Sequence, residues 1–126
     1  MAKSVTTIST DGFSSENHVR DFDLTLDATG EAAPDTLEAL LAAYASCYVP
    51  ALRVGAEQRD AGDLGEIQID ATGELNDDDK LDAIAFDVSV DADLDADAAD
   101  AVVERANELC KVHDALKAPL HAEIEL

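Results

Sequence analysis

Between Glu38 and Arg53 the chain reads "EALLAAYASCYVPALR", and nothing from Ala39 to Leu52 carries a formal charge. Everywhere else acid recurs: 29 Asp and Glu stand against eight Lys and Arg, a formal net charge of −21. An uncharged run of fourteen residues in such a chain belongs in a core, and it is shorter than the ~20 residues a bilayer requires. It predicts a core helix. Leu37, Leu41, Tyr44, Tyr48 and Ala51 recur at spacings of three and four, with Leu40 and Cys47 bordering the stripe. The run is apolar nearly all round, so the helix, expected from Thr36 to about Ala61, should be buried on most faces. Pro50 removes one backbone donor inside it and predicts a kink near Ser46–Cys47.

The flanking segments switch to a period of two. In Val19–Leu26, Phe22, Leu24 and Leu26 alternate with Asp21, Asp23 and Thr25, which reads as a half-buried strand. A shorter strand around Val5–Ser9 precedes it, with "TDGFSSEN" as the turn between. Gly30 and Pro34 punctuate the loop "DATGEAAPD", and Asp35 or Thr36 caps the helix. Glu66–Gly73 and Ala83–Ala92 alternate again across the acidic turn "NDDDK", which predicts a hairpin. Asp95 or Asp97 then caps a second helix with the apolar line Ala98, Val102, Ala106, Leu109 and Cys110. Pro119–Leu126 reads as a last strand. The expected order is β-β-α-β-β-α-β, an α+β fold of two layers with a buried central helix, one domain over residues 1–126.

The carboxylates are spread along the chain, and Asp77-Asp78-Asp79 is their densest cluster. With Lys this scarce, the composition fits a soluble protein of a haloarchaeon-like cell, where at 1 M salt the Debye length is only ~3 Å and self-repulsion is tolerated. Nucleic acid and anionic membranes are excluded as partners on charge grounds. No basic segment followed by an apolar one opens the sequence, so the expected location is cytoplasmic.

Cys47 and Cys110 are 63 positions apart, which excludes a CxxC redox pair and zinc-knuckle spacing. Each falls on the apolar side of its own predicted helix. Two readings stand: small core hydrophobes, or thiols brought together by a shared core. His113 follows Cys110 by three and is either a base beside it or an exposed helix-end residue. Tyr44, three before Cys47, and Tyr48 either line the approach to the thiol or pack in the core. With His18 and His121 far off in sequence, no metal constellation assembles, and no metal or other cofactor is expected.

The charge-free helix around Cys47, followed some sixty residues later by "ANELCKVHDAL" and a terminal segment, resembles the OsmC/Ohr family over roughly the last ninety residues. The resemblance implies an intertwined homodimer whose active sites lie at the subunit interface. It implies reduction of organic hydroperoxides to alcohols, with Cys47 attacking the peroxide to become a sulfenic acid and Cys110 condensing with it into a disulfide. A dihydrolipoyl-type dithiol would reduce that bond. Family members hold the thiolate with an Arg about twenty residues before the cysteine and a Glu ten before. Those positions are Asp27 and Leu37 here, with Glu38 one residue late and Arg20 the remaining guanidinium upstream. After the second cysteine, Lys111 stands where the family has Pro and His113 where it has Ser. A non-catalytic dimer that binds an apolar small molecule, with both cysteines merely packed, is the alternative; a cysteine transferase or thiol sensor is a third.

Overall fold

The computed structural model describes residues 1–117 and 120–125. Its contacts group the chain into two compact units, Met1–Leu41 and Ala42–Leu126.

The first unit holds a three-stranded antiparallel sheet of β1 (Thr6–Ile8), β2 (Ser14–Val19) and β3 (Phe22–Asp27), in that order. Ser14 pairs with Asp27 and Val19 with Phe22, so the central strand is drawn largely from the segment expected to be a turn. Arg20, at φ 54°, makes the tight reversal between β2 and β3. The strand expected here is present as β3, but it is not half-buried by alternation: Phe22 to Thr25 are all exposed, Phe22 and Leu24 at 64% and 52%, and only Leu26 and Asp27 turn inward. Asp27 is buried and folds the following loop: its carboxylate accepts from Thr29 N–H, Thr29 Oγ1 and Ala32 N–H at 2.9, 2.8 and 3.1 Å. Those bonds, the Thr29 amide first, hold its carboxyl below the usual carboxylate range. Asp35 and Glu38 then form a reciprocal capping box, with Glu38 N–H donating to Asp35 Oδ1 at 2.8 Å and Asp35 N–H to Glu38 Oε1 at 2.9 Å.

This box starts α1 (Thr36–Gln58), which continues unbroken through Pro50. At 23 residues α1 is long and apolar enough to cross a membrane, so the count of fourteen uncharged residues understated it. It packs as a core helix nonetheless. The expectation of burial on most faces needs correction: in the single chain Tyr48, Ala51, Leu52, Gly55 and Ala56 are buried, while Ala42, Ala43, Ser46, Pro50 and Val54 are exposed.

In the second unit β4 (Ile67–Leu75) and β5 (Leu81–Val90) form the expected hairpin, with Ile67 opposite Val90 and Ala71 opposite Phe86. Asn76 organises its turn by accepting from Asp78 and Lys80 N–H. α2 (Ala96–Leu109) is capped by Asp95, whose carboxylate accepts from Ala98 N–H. It breaks at Cys110 and resumes as the short α3 (Lys111–Ala115). Tyr48, Leu52 and Ala56 of α1, Leu64, and Val102, Ala106 and Cys110 form one buried cluster, with Ile67, Ile69, Phe86 and Val90 of the hairpin packed against it. The final strand is a second correction. Pro119 and Leu126 lie outside the described residues, and residues 121–125 take no strand pairing. The observed order is β-β-β-α-β-β-α-α, still α+β.

The helices cross at Gly55. A Cβ there would stand 3.1 Å from the Val102 carbonyl oxygen and 3.4 Å from the Ala106 amide nitrogen, both backbone atoms. Gly55→Val is therefore expected to destabilise the fold by about 1–3 kcal/mol through overpacking, read as a lower denaturant midpoint at unchanged slope. An unchanged midpoint would mean that the crossing is looser than these distances state.

Candidate active site

Cys47 sits on the fourth turn of α1 and Cys110 in the single extended residue between α2 and α3. The apolar line of the expected second helix ran through Cys110. Instead Cys110, at φ −71° and ψ 112°, ends α2 with its N–H on the Ala106 carbonyl at 2.9 Å. Its Sγ accepts from His113 N–H at 3.5 Å, so the thiol caps the helix that follows. This turn aims the Lys111 and Val112 amides at Cys47.

Cys47 packs against the cluster that holds Cys110, and the two thiols, each acting on the other, are not equivalent. The Val112 N–H, then the Cys110 S–H and the Lys111 N–H, point at the Cys47 sulfur, and the Lys111 ammonium adds a nearby positive charge. Together they outweigh partial burial and hold the Cys47 thiol below its ordinary value. Cys110, 1% exposed, is pushed the other way by burial and by donating its proton to Cys47. The two thiols thus differ in acidity, Cys47 being the more readily ionised and Cys110 the more firmly protonated. Both are free thiols.

Cys47 opens on a cavity of about 330 Å³ lined by Pro50, Ala51, Val54, Leu109 and Lys111. The tyrosines expected beside the approach lie elsewhere. They share a smaller hollow of about 170 Å³ with Ile84, Phe86 and Asn107. Tyr48 is buried and donates to Asn107 Oδ1 at 2.7 Å. Burial first, and for Tyr44 the neighbouring Cys110, raise both phenols, so Tyr44 stays neutral and hydrogen-bonds the Nδ1 of His113. His113 is therefore engaged with a tyrosine through its ring and with Cys110 through its amide.

The remaining sequence candidates are placed as follows. Arg20 lies in the first unit with its guanidinium 5.4 Å from the centre of the Phe22 ring. Glu38 is committed to the helix cap and Asp27 to its loop. Arg53 donates to the Gly65 carbonyl at 2.8 Å and lines a larger hollow, about 480 Å³, with Glu57, Asp60 and Asp63, where no nucleophile stands. His18 pairs with Asp23 at 2.6 Å. Among the described residues no three His, Cys, Asp or Glu side chains come together as a metal site. The Lys111 and Val112 amides were missed by sequence reasoning, which reads side chains and has no signal for a backbone donor.

An uneven pair of thiols beside a helix core and hairpin, with Cys47 lining a mostly apolar cavity, is the candidate site of this α+β fold. Residues 27–125 match the OsmC-like protein family, and the chain belongs to it. An uncharacterized protein of Haloferax volcanii is 48% identical over 118 residues, covering 94% of this chain and 89% of that one. Among solved structures, the OsmC-like protein of Mycoplasma pneumoniae superposes with a TM-score of 0.80 at 18% identity, over 92% of this chain and 87% of the other. The organic hydroperoxide resistance protein OhrB of Bacillus subtilis superposes with a TM-score of 0.64 at 23% identity, over 93% and 91%. At these identities the structures share the fold.

Proposed function

We propose that the protein is a thiol peroxidase that reduces organic hydroperoxides to alcohols, with residues 1–126 acting as one domain. The observation that carries this reading is the unequal pair of thiols, of which Cys47 lines a mostly apolar cavity and Cys110 is buried. The Cys47 thiolate attacks the terminal peroxide oxygen; the O–O bond breaks, the alkoxide takes a proton and leaves as alcohol, and sulfur keeps the hydroxyl as sulfenic acid. Cys110 then attacks that sulfur, its proton leaves with the hydroxyl as water, and a disulfide joins residues already in contact. A dithiol of the dihydrolipoyl type returns the two electrons. The chain works as a homodimer in the cytoplasm, and the exposed Phe22, Leu24 and Ile124 support a covering second copy. Its charge argues against nucleic acid or anionic membrane as partners.

The test is to mix reduced protein with cumene hydroperoxide in multimolar KCl. Both thiols of each chain should disappear, with a Cys47–Cys110 disulfide in the mass spectrum and one cumyl alcohol formed per bond. Thiols that survive the peroxide leave the second reading, a dimer binding an apolar small molecule. That reading is favoured by Leu37 and Asp27, neither of which supplies the family's Arg or Glu.

A further inference from the structure

We propose that Lys111 is the positioning residue that keeps Cys47 ionised, acting twice: through its backbone N–H on the sulfur and through its ammonium at the cavity wall. The inference deepens the peroxidase reading and rests on it for its purpose, though not for its test.

Three observations carry it. Lys111 is the one charged side chain among the residues lining the Cys47 cavity; Pro50, Ala51, Val54 and Leu109 are apolar. Its amide, after that of Val112, and its ammonium are both among the groups that lower the Cys47 thiol, so one residue supplies a donor and a cation. It also follows Cys110 directly in the chain, so it stays beside Cys47 when the two sulfurs join. A proline at this position would supply neither contact, having no N–H and no charge.

Among the described residues no other cation is among the groups that act on Cys47. From the α2–α3 junction Cys47 meets Cys110 and Lys111. On its own helix the nearest are Tyr44 and Tyr48, both raised phenols directed at His113 and Asn107. The hairpin contributes Ile67, Ile69, Phe86 and Val90 to the surrounding core. The whole chain, at −21, opposes ionisation of any thiol, but in multimolar salt that field decays within a few ångströms. A cation in the immediate neighbourhood of the sulfur keeps its effect under those conditions, because little electrolyte intervenes. The long-range repulsion does not.

Alkylation by iodoacetamide tests this without any peroxide. The reagent is neutral, so its encounter with an acidic protein is little affected by salt. In multimolar KCl, Lys111→Met should move the pH profile of Cys47 alkylation upward and slow the reaction at pH 7 by about 3- to 10-fold. Lys111→Arg should restore it, and Lys111→Pro should slow it further than Met by also removing the N–H. Lys117→Met removes a positive charge paired with Asp114 on the same segment and should leave the profile in place. Lys111 is exposed, so the Met variant should melt with the wild type. A Lys111→Met profile that overlays the wild type overturns the inference. So does slowing by Arg20→Met alone, which would give the role to the guanidinium upstream. If Lys111→Met slows alkylation while wild type consumes no peroxide, the peroxidase reading fails and the assignment of Lys111 stands.

Discussion

Cys47→Ser is expected to abolish peroxide consumption, with a loss of at least about 1,000-fold, while Cys110→Ser consumes one equivalent of peroxide per chain in a fast phase, a second only in slow overoxidation, and does not turn over. The difference follows from the two sulfurs' environments. Cys47 is the one held below the ordinary thiol value, by the Val112 and Lys111 amides and the Cys110 proton, and only the thiolate attacks oxygen. A serine hydroxyl is far too weakly acidic for those donors to ionise. At position 110 serine replaces one proton donor with another, so Cys47 keeps its neighbour and reacts once. The resulting sulfenic acid then has no thiol to condense with. It should be trapped by dimedone at a stoichiometry of one, and excess peroxide should drive it to the irreversible sulfinic acid. In the wild type the same dimedone signal should be transient. Sustained turnover by Cys110→Ser would mean that an external thiol resolves Cys47 directly and that Cys110 is a cap and little more. Turnover by Cys47→Ser would remove the mechanism.

Much of this was legible before any coordinates, and the failures are as physical as the successes. The core helix and the hairpin show in the sequence because burial imposes a period on apolar residues: Tyr48, Ala51 and Leu52 on one face of α1, Ile67 opposite Val90 across β4 and β5. β2 was invisible for the opposite reason. "SSENHV" has exposed or half-buried positions throughout and nothing apolar before Val19, so it is a strand only because β1 and β3 pair with it, a non-local fact. Pro119–Leu126 erred in the other direction: its alternation was real, but alternation defines faces and does not supply an edge to pair with. The break at Cys110 had no local warning either. "ANELCKVH" contains no Gly or Pro, and the chain turns where a thiol takes over the capping of α3. The amides that reach Cys47 depend on that turn. The residue types of the site could be read from sequence; the donors that separate the two thiols could not, because backbone groups have no letter of their own.

Diluting the salt should unfold this protein. A formal charge of −21 over 9523 Å² of accessible surface is about one net charge per 450 Å². Each carboxylate feels its neighbours over ~10 Å at 0.1 M salt and over only ~3 Å at 1 M, so the self-repulsion of the folded chain grows severalfold on dilution. The expanded chain sheds most of that energy, so lowering salt favours unfolding by an amount comparable to the 5–15 kcal/mol of net stability a domain has. Few internal pairs stand against it: among the described residues Arg105–Glu108 and Lys117–Asp114 are exposed or half-exposed contacts one turn apart on a helix. The core offers little reserve, because it is drawn from alanine, glycine and a few larger side chains. The melting temperature is therefore expected to fall by more than ~10 °C between multimolar and 0.1 M KCl. A neutral osmolyte at matched osmolality should recover only part of the loss, since it strengthens apolar burial without screening charge. A flat melting temperature across that range would show that the carboxylates are held far enough apart, or balanced closely enough by Lys and Arg, for their repulsion not to matter. The excess acid would then need an explanation other than salt.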